Sequence, residues 1–175
     1  LEDIRKAKEY LNLAKEQLKE RKQQFDEQIR IGIMIEIPAI ALIADLAAEE
    51  VDFASIGSND LTQYLSAADR MNPEVAAYYK SDSTAMLRLL GFVFREFSKR
   101  EKEISVCGEM AGNPETAQLL VGLGARKLSM SSGNIAGVKA KLAECTLQEL
   151  TALAEKTMIP LDKKMKCVYI HNSVI

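Results

Sequence analysis

Four short apolar runs, each followed by a stretch of helical periodicity, constrain this chain more than any other feature. The first is Ile31-Gly32-Ile33-Met34-Ile35-Glu36-Ile37-Pro38, whose unbroken apolar character predicts a strand buried on both faces and stopped by Glu-Ile-Pro. Residues 39–48 read as helix. Phe53-Ala54-Ser55-Ile56-Gly57 is the second strand, ending in the polar turn Ser58-Asn59-Asp60 and a long irregular connection to about residue 83. A helix is predicted over 84–100, with Met86, Leu87, Leu90, Val93, Phe94 and Phe97 on its inner side. Ile104-Ser105-Val106-Cys107 is the third strand, closed by Gly108-Glu109-Met110-Ala111-Gly112. Its helix opens with Asn113 as cap and Pro114 at the first helical position, and Gly122 and Gly124 end it. The fourth strand spans about 127–130, with a helix after Ser131-Ser132-Gly133. Thr146 and Glu149 form a capping-box pattern for a last helix to about residue 156.

Ahead of these units, Ile4, Ala7, Leu11, Ala14, Leu18 and Phe25 recur at spacings of three, four and seven, which predicts one amphipathic helix over 2–28 that covers a sheet. A helix followed by four strand-helix units calls for an α/β fold with parallel strands and right-handed crossovers. Residues 160–175 break the rhythm and read either as an added strand or as a loose tail.

Composition narrows the class. Of 175 residues, 47% are hydrophobic and 27% charged, the balance of a soluble globular domain. No apolar run reaches the roughly 18 residues of a spanning helix, and the charged N-terminus lacks a signal-peptide pattern, so neither membrane insertion nor export is expected. Twenty-three basic against 25 acidic residues leave no footprint for nucleic acid, but admit a small anion held by local charges. Three cysteines without metal-like spacing fit a reducing compartment, and the expected address is cytoplasmic.

Side chains at the carboxyl ends of parallel strands share one face, so residues far apart in sequence converge there. The first strand ends in Glu36, the second in Asn59 and Asp60, the third in Cys107. Two converging carboxylates either repel or share a cation, and oxygen donors of this hardness suit Mg²⁺ or Mn²⁺, with waters and substrate oxygens completing the shell. Each residue also has a plainer role open to it. Glu36 serves equally as a salt-bridge partner, Asp60 as the cap of its turn, and Cys107 as a buried small hydrophobe. Arg70, in the long loop, is either solvated or a ligand for phosphate or carboxylate.

At these residues the chain resembles a known family. Asp52-Phe53-Ala54-Ser55-Ile56-Gly57-Ser58-Asn59-Asp60-Leu61-Thr62-Gln63-Tyr64, continued by Ala67-Ala68-Asp69-Arg70-Met71-Asn72, resembles a signature of the phosphoenolpyruvate-utilising enzymes. Gly32-Ile33-Met34-Ile35-Glu36-Ile37-Pro38-Ala39 looks like that family's metal-binding strand, and Cys107-Gly108-Glu109-Met110-Ala111-Gly112 like its catalytic cysteine motif. Within the family, Ala-Asp-Arg-Met-Asn and Cys-Gly-Glu-Met-Ala-Gly favour the enzyme I branch, the phosphotransferases of sugar uptake. The resemblance covers about residues 1–142. It implies that Glu36 and Asp60 bind Mg²⁺ (or Mn²⁺), that Asn59, Asp60 and Arg70 contact phosphoenolpyruvate, and that Cys107 protonates the enolate as pyruvate forms.

The resemblance also implies a (β/α)₈ barrel, of which four strand-helix units are the C-terminal half, because a complete barrel takes about 250 residues. Residues 1–145 are then partial barrel, and 146–175 a C-terminal helix and tail. The phosphoryl group is expected to pass to a histidine on a separate domain and thence to a phosphocarrier protein; the lone His171 lies in the unmatched tail. By itself the chain is expected to be inactive. Its two open strand edges predict self-association, with a homodimer as the expected state. Two alternatives are a Mg²⁺-dependent pyruvate-enolate aldolase of the same barrel superfamily, which needs neither the cysteine motif nor Ala-Asp-Arg-Met-Asn, and a non-catalytic dimerisation fragment.

Overall fold

The computed structural model describes residues 1–158, so the tail assigned to 160–175, with His171, lies outside the described residues. Helix α1 (Glu2–Glu20) leads into strand β1 (Gly32–Ile35), then helices α2 (Pro38–Leu42) and α3 (Ala44–Glu50). Strand β2 (Phe53–Gly57) runs directly into α4 (Ser58–Ser66), and a loop with one 3₁₀ turn (Ala76–Tyr78) reaches α5 (Thr84–Lys99). Strand β3 (Glu103–Cys107) is followed by the single turn α6 (Glu109–Gly112) and by α7 (Pro114–Leu123). Strand β4 (Lys127–Ser129), α8 (Ser132–Ala143) and α9 (Leu147–Met158) complete the described chain. The four strands form one parallel sheet in the order β1-β2-β3-β4. This is the α/β alternation that the apolar runs predict.

Alternation along the strands divides the sheet into two unlike faces. Ile35, Ala54, Ile56 and Val106 point to the helix side, where they bury against Leu87, Leu90, Val93, Phe94, Phe97 and Leu120 of α5 and α7. The opposite face carries Met34, Ser55, Ser105 and Lys127 in register, with the Ser105 hydroxyl donating to the Ser55 hydroxyl at 3.0 Å. Met34 is 48% exposed. The expectation that β1 is buried on both faces is therefore corrected: the helices cover one face, and among the described residues no element covers the other.

The caps hold as the residue types require. Asn113 Oδ1 accepts from the Glu115 and Thr116 amides at 3.0 and 3.1 Å. The Thr146 hydroxyl accepts from the Glu149 amide, while the Glu149 carboxylate accepts from the Thr146 amide at 2.8 Å. Gly124 ends α7 with φ +118°, but Gly122 does not terminate it. It sits within the helix, where an added Cβ would lie 2.1 Å from the Leu150 carbonyl oxygen, so its bare backbone is what lets α9 seat against α7.

Three local expectations are corrected. The predicted helix over 2–28 stops at Glu20, because Lys22 turns into the left-handed region at φ +51°. No residue of α1 is buried, so it does not cover the sheet; Ile4 touches the core, and Arg5 and Lys8 grip Glu50 at 2.6 and 3.2 Å. The stretch 39–48 is two helices broken at Ile43 (φ −114°, ψ 33°). Ser58-Asn59-Asp60 is the first turn of α4 rather than a free turn, and α4 ends where Ala67 adopts φ +49°.

Glu96 on α5 is the centre of a charge cluster, accepting from Lys99 at 2.8 Å and pairing with Arg95 and Arg100 at 3.3 and 3.2 Å. Lys99 above all, then Arg95 and Arg100, hold its carboxyl below the ordinary 4.5. A depressed carboxylate stabilises the fold fully above its unfolded-state value and loses that contribution as pH falls through its folded-state value. Urea unfolding midpoints should thus be flat near neutrality and fall below about pH 4.5. Glu96→Gln should lower the neutral midpoint and shrink the acid-side fall. Gly122→Ala, by driving a Cβ into the Leu150 carbonyl and forcing α9 off α7, should cost about 2 kcal/mol in the same measurement.

Candidate functional site

The carboxyl ends of the strands gather the predicted residues. Glu36 is the first residue past β1, and its parity sets it on the face opposite the helices, as it does Gly57, Cys107 and Ser129. Gly57 pairs with Cys107, and Cys107 with Ser129, so three strand ends lie side by side. The Glu36 side chain crosses the end of β2: a Cβ built on Gly57 would stand 2.9 Å from Glu36 Oε2 and 3.0 Å from its Cβ. The missing Cβ of Gly57 is thus the gap that the Glu36 side chain occupies. Among the described residues no cation pairs with Glu36.

Asp60 stands in the first turn of α4, directly after β2. Arg70 approaches it from the following loop, with Nη2 3.8 Å from Oδ1 and both side chains about two-fifths exposed. At that separation and exposure the pair is loose, each group remaining open to a stronger partner. Asn59 is more firmly held. Its Oδ1 accepts from the Glu109 amide at 2.9 Å, which fixes the amide's orientation and leaves the NH₂ end to meet an acceptor.

Cys107 is half-buried and its thiol donates to the Ile56 carbonyl at 3.4 Å. Behind it, the Ser58 hydroxyl donates to the Cys107 carbonyl at 2.6 Å. Gly108 follows with φ +103°, a conformation open to glycine.

The structure adds groups for which the sequence offered no signal. The Tyr79 hydroxyl donates to the Asn59 carbonyl at 3.1 Å, pinning the 67–83 loop to α4. Burial, followed by the nearby Glu109 carboxylate, raises the Tyr79 phenol above its ordinary 10.0, so it keeps its proton. A cleft of about 500 Å³ is lined by Asn59, Arg70, Met71, Ala76, Tyr79 and Glu109. A second, of about 350 Å³, is lined by residues including Asn59, Cys107, Glu109, Ser129 and Asn134. Asn59 and Glu109 belong to both. Tyr79 and Asn134 sit in stretches without a motif, and Ser129 is the last residue of the short strand β4.

Donor chemistry allows a test of the implied cation. Among the described residues no three His, Cys, Asp or Glu side chains form a metal-holding group, so these residues offer no closed cage. Two carboxylates, Glu36 without a cation among the described residues and Asp60 only loosely paired, are donors of the type taken by an ion that keeps waters and substrate oxygens in its shell, as Mg²⁺ does. No helix among the described residues is long and apolar enough to cross a membrane.

Comparison with known proteins identifies the family. The family model for the PEP-binding domain of PEP-utilising enzymes matches residues 1–147. The chain is 43% identical over 158 residues to multiphosphoryl transfer protein 2 of Escherichia coli, a match spanning 90% of this chain and 19% of that protein. It is 40% identical over 156 residues to phosphoenolpyruvate-protein phosphotransferase of Bacillus subtilis, spanning 89% of this chain and 27% of the relative. The protein of the same description from Staphylococcus aureus is 40% identical over 158 residues, with 90% and 28% covered. The chain thus spans less than a third of the length of these relatives. With three motifs in order, their residues at one end of a parallel sheet and a domain match over most of its length, this chain belongs to the PEP-utilising enzymes, whose PEP-binding domain it carries.

Proposed function

We propose that this chain is the phosphoenolpyruvate-binding part of an enzyme I type phosphotransferase, in which Glu36 and Asp60 hold Mg²⁺, Asn59 and Arg70 bind substrate and Cys107 handles the proton. The observation that carries this reading is the strand register, in which Glu36, Gly57 and Cys107 share one face at one end, with Asn59 and Asp60 in the adjoining helical turn.

Phosphoryl transfer from an enol ester asks for charge neutralisation, positioning and a proton donor for the carbon left behind. Glu36 and Asp60 would hold the Mg²⁺, which when bound would supply the first. The Asn59 NH₂ and the Arg70 guanidinium supply positioning, since both present donors and neither is locked to a strong protein acceptor. As the bond between phosphorus and the enol oxygen breaks, the phosphoryl group leaves for a histidine on a separate domain, and the Cys107 thiol delivers its proton to the methylene carbon of the enolate. Pyruvate results. The thiol's hydrogen bond to the Ile56 carbonyl sets the direction of the S–H group. A phosphocarrier protein is the next acceptor in this reading, and sugar uptake the process served.

The fold element of the proposal is a (β/α)₈ barrel of which β1 to β4 are four strands, with residues 1–145 as the barrel part. Its support is the uncovered face with Met34 in the open, and the row Ser55, Ser105 and Lys127, which would look into a barrel interior. Two open strand edges favour association of copies, and a homodimer is the assembly proposed.

Two measurements test these points. Phosphoenolpyruvate with Mg²⁺ should raise the melting temperature of the chain by a few degrees, neither alone should do so, and Glu36→Ala or Asp60→Ala should abolish the shift; indifference to the pair of ligands refutes the binding reading. Sedimentation should show concentration-dependent self-association. A stable, cooperatively unfolding monomer would count against the half-barrel.

A further inference from the structure

We propose that Ser58 is a positioning residue for the Cys107 thiol, clamping the end of β3 to the start of α4. The thiol's chemical role rests on the function proposed above; the clamp stands on geometry alone. Ser58 is 1% exposed, and its hydroxyl donates across 49 residues of sequence to the Cys107 carbonyl at 2.6 Å. Ser58 is itself held from below, its carbonyl accepting from the Thr62 hydroxyl at 2.7 Å.

The next residue completes the grip. Gly108 has φ +103°, and a Cβ there would fall 2.6 Å from Ser58 Oγ and 2.7 Å from Asn59 Oδ1, so α4 and this turn meet with no room for a side chain. Asn59 Oδ1 then takes the Glu109 amide at 2.9 Å. On the other side, the Cys107 thiol reaches the Ile56 carbonyl of β2 at 3.4 Å. Cys107 is therefore held through its carbonyl by Ser58, through the following turn by Asn59, and through its sulfur by Ile56. A glycine alone leaves the turn torsionally loose, and the Ser58 hydroxyl removes that freedom.

The consequence is mechanical. Asn59 and Asp60 sit on α4 with Ser58, so the residues that meet the substrate and the residue that carries its proton form one block. The position of the thiol over the substrate is then set by α4, and not only by the end of β3.

Alkylation of the full chain with iodoacetamide, followed peptide by peptide by mass spectrometry, tests the clamp without any ligand. Cys145 is the internal control: it is half-buried beyond α8, where it accepts from Gln118 Nε2 at 3.3 Å, and has no tie to the clamp. Ser58→Ala should speed alkylation of Cys107 about five-fold, the factor one lost hydrogen bond supports, with Cys145 unchanged. Ser58→Thr, which keeps the hydroxyl, should restore the parent rate at Cys107. Equal Cys107 rates in parent and Ser58→Ala overturn the proposal, as does a rise shared by Cys107 and Cys145, which would mark general loosening. Failure of the ligand-dependent melting shift alone would overturn the binding reading and leave the clamp standing.

Discussion

The parallel register of β1 to β4 is the constraint on which the rest of this structure depends. In parallel pairing, residues in register point to the same face, so one choice of register determines both what is buried and what converges. With Ile35 beside Ile56 and Ile56 beside Val106, the apolar set faces α5 and α7. The same pairing then puts Gly57, Cys107 and Ser129 on the opposite face. A slip of one residue in any strand would send its core residues out and its site residue in. The hydrophobic core thereby enforces the alignment of the site, although no core side chain takes part in it.

Above the strand ends, hydrogen bonds rather than charge pairs provide the fine positioning. The Asp60–Arg70 pair is long and partly exposed, and contributes little to holding either group. By contrast, Ser58 and Asn59 bond to backbone groups of the Cys107–Glu109 turn at 2.6 and 2.9 Å, and Tyr79 ties the loop to the Asn59 carbonyl. This division suits a site for an anionic substrate. Neutral hydrogen bonds to the backbone hold the scaffold, and the charged groups stay available.

Besides Gly108, two glycines answer to close approach between distant segments. Gly57 admits the Glu36 side chain over the end of β2, and Gly122 admits the backbone of α9 to α7. Neither use shows in the sequence, where Gly57 reads as the end of a strand and Gly122 as a helix stop, because the partner that demands the missing Cβ is distant along the chain. The breaks at Lys22, Ile43 and Ala67 escaped for a related reason: none is a residue type that announces a turn.

What the sequence by itself determined is the content of the fold: four strand-helix units, the caps at Asn113 and Thr146, the parallel order and the residues at the strand ends. These follow from local periodicity, cap chemistry and the crossover rule, all written within a few residues of where they act. Only the tertiary structure decided that Glu36 leans across Gly57, that Asn59 turns its NH₂ end free, that Tyr79 joins the site and that α1 stands off the sheet. Each of these depends on contacts between segments about 20 to 50 residues apart, which a local pattern does not encode.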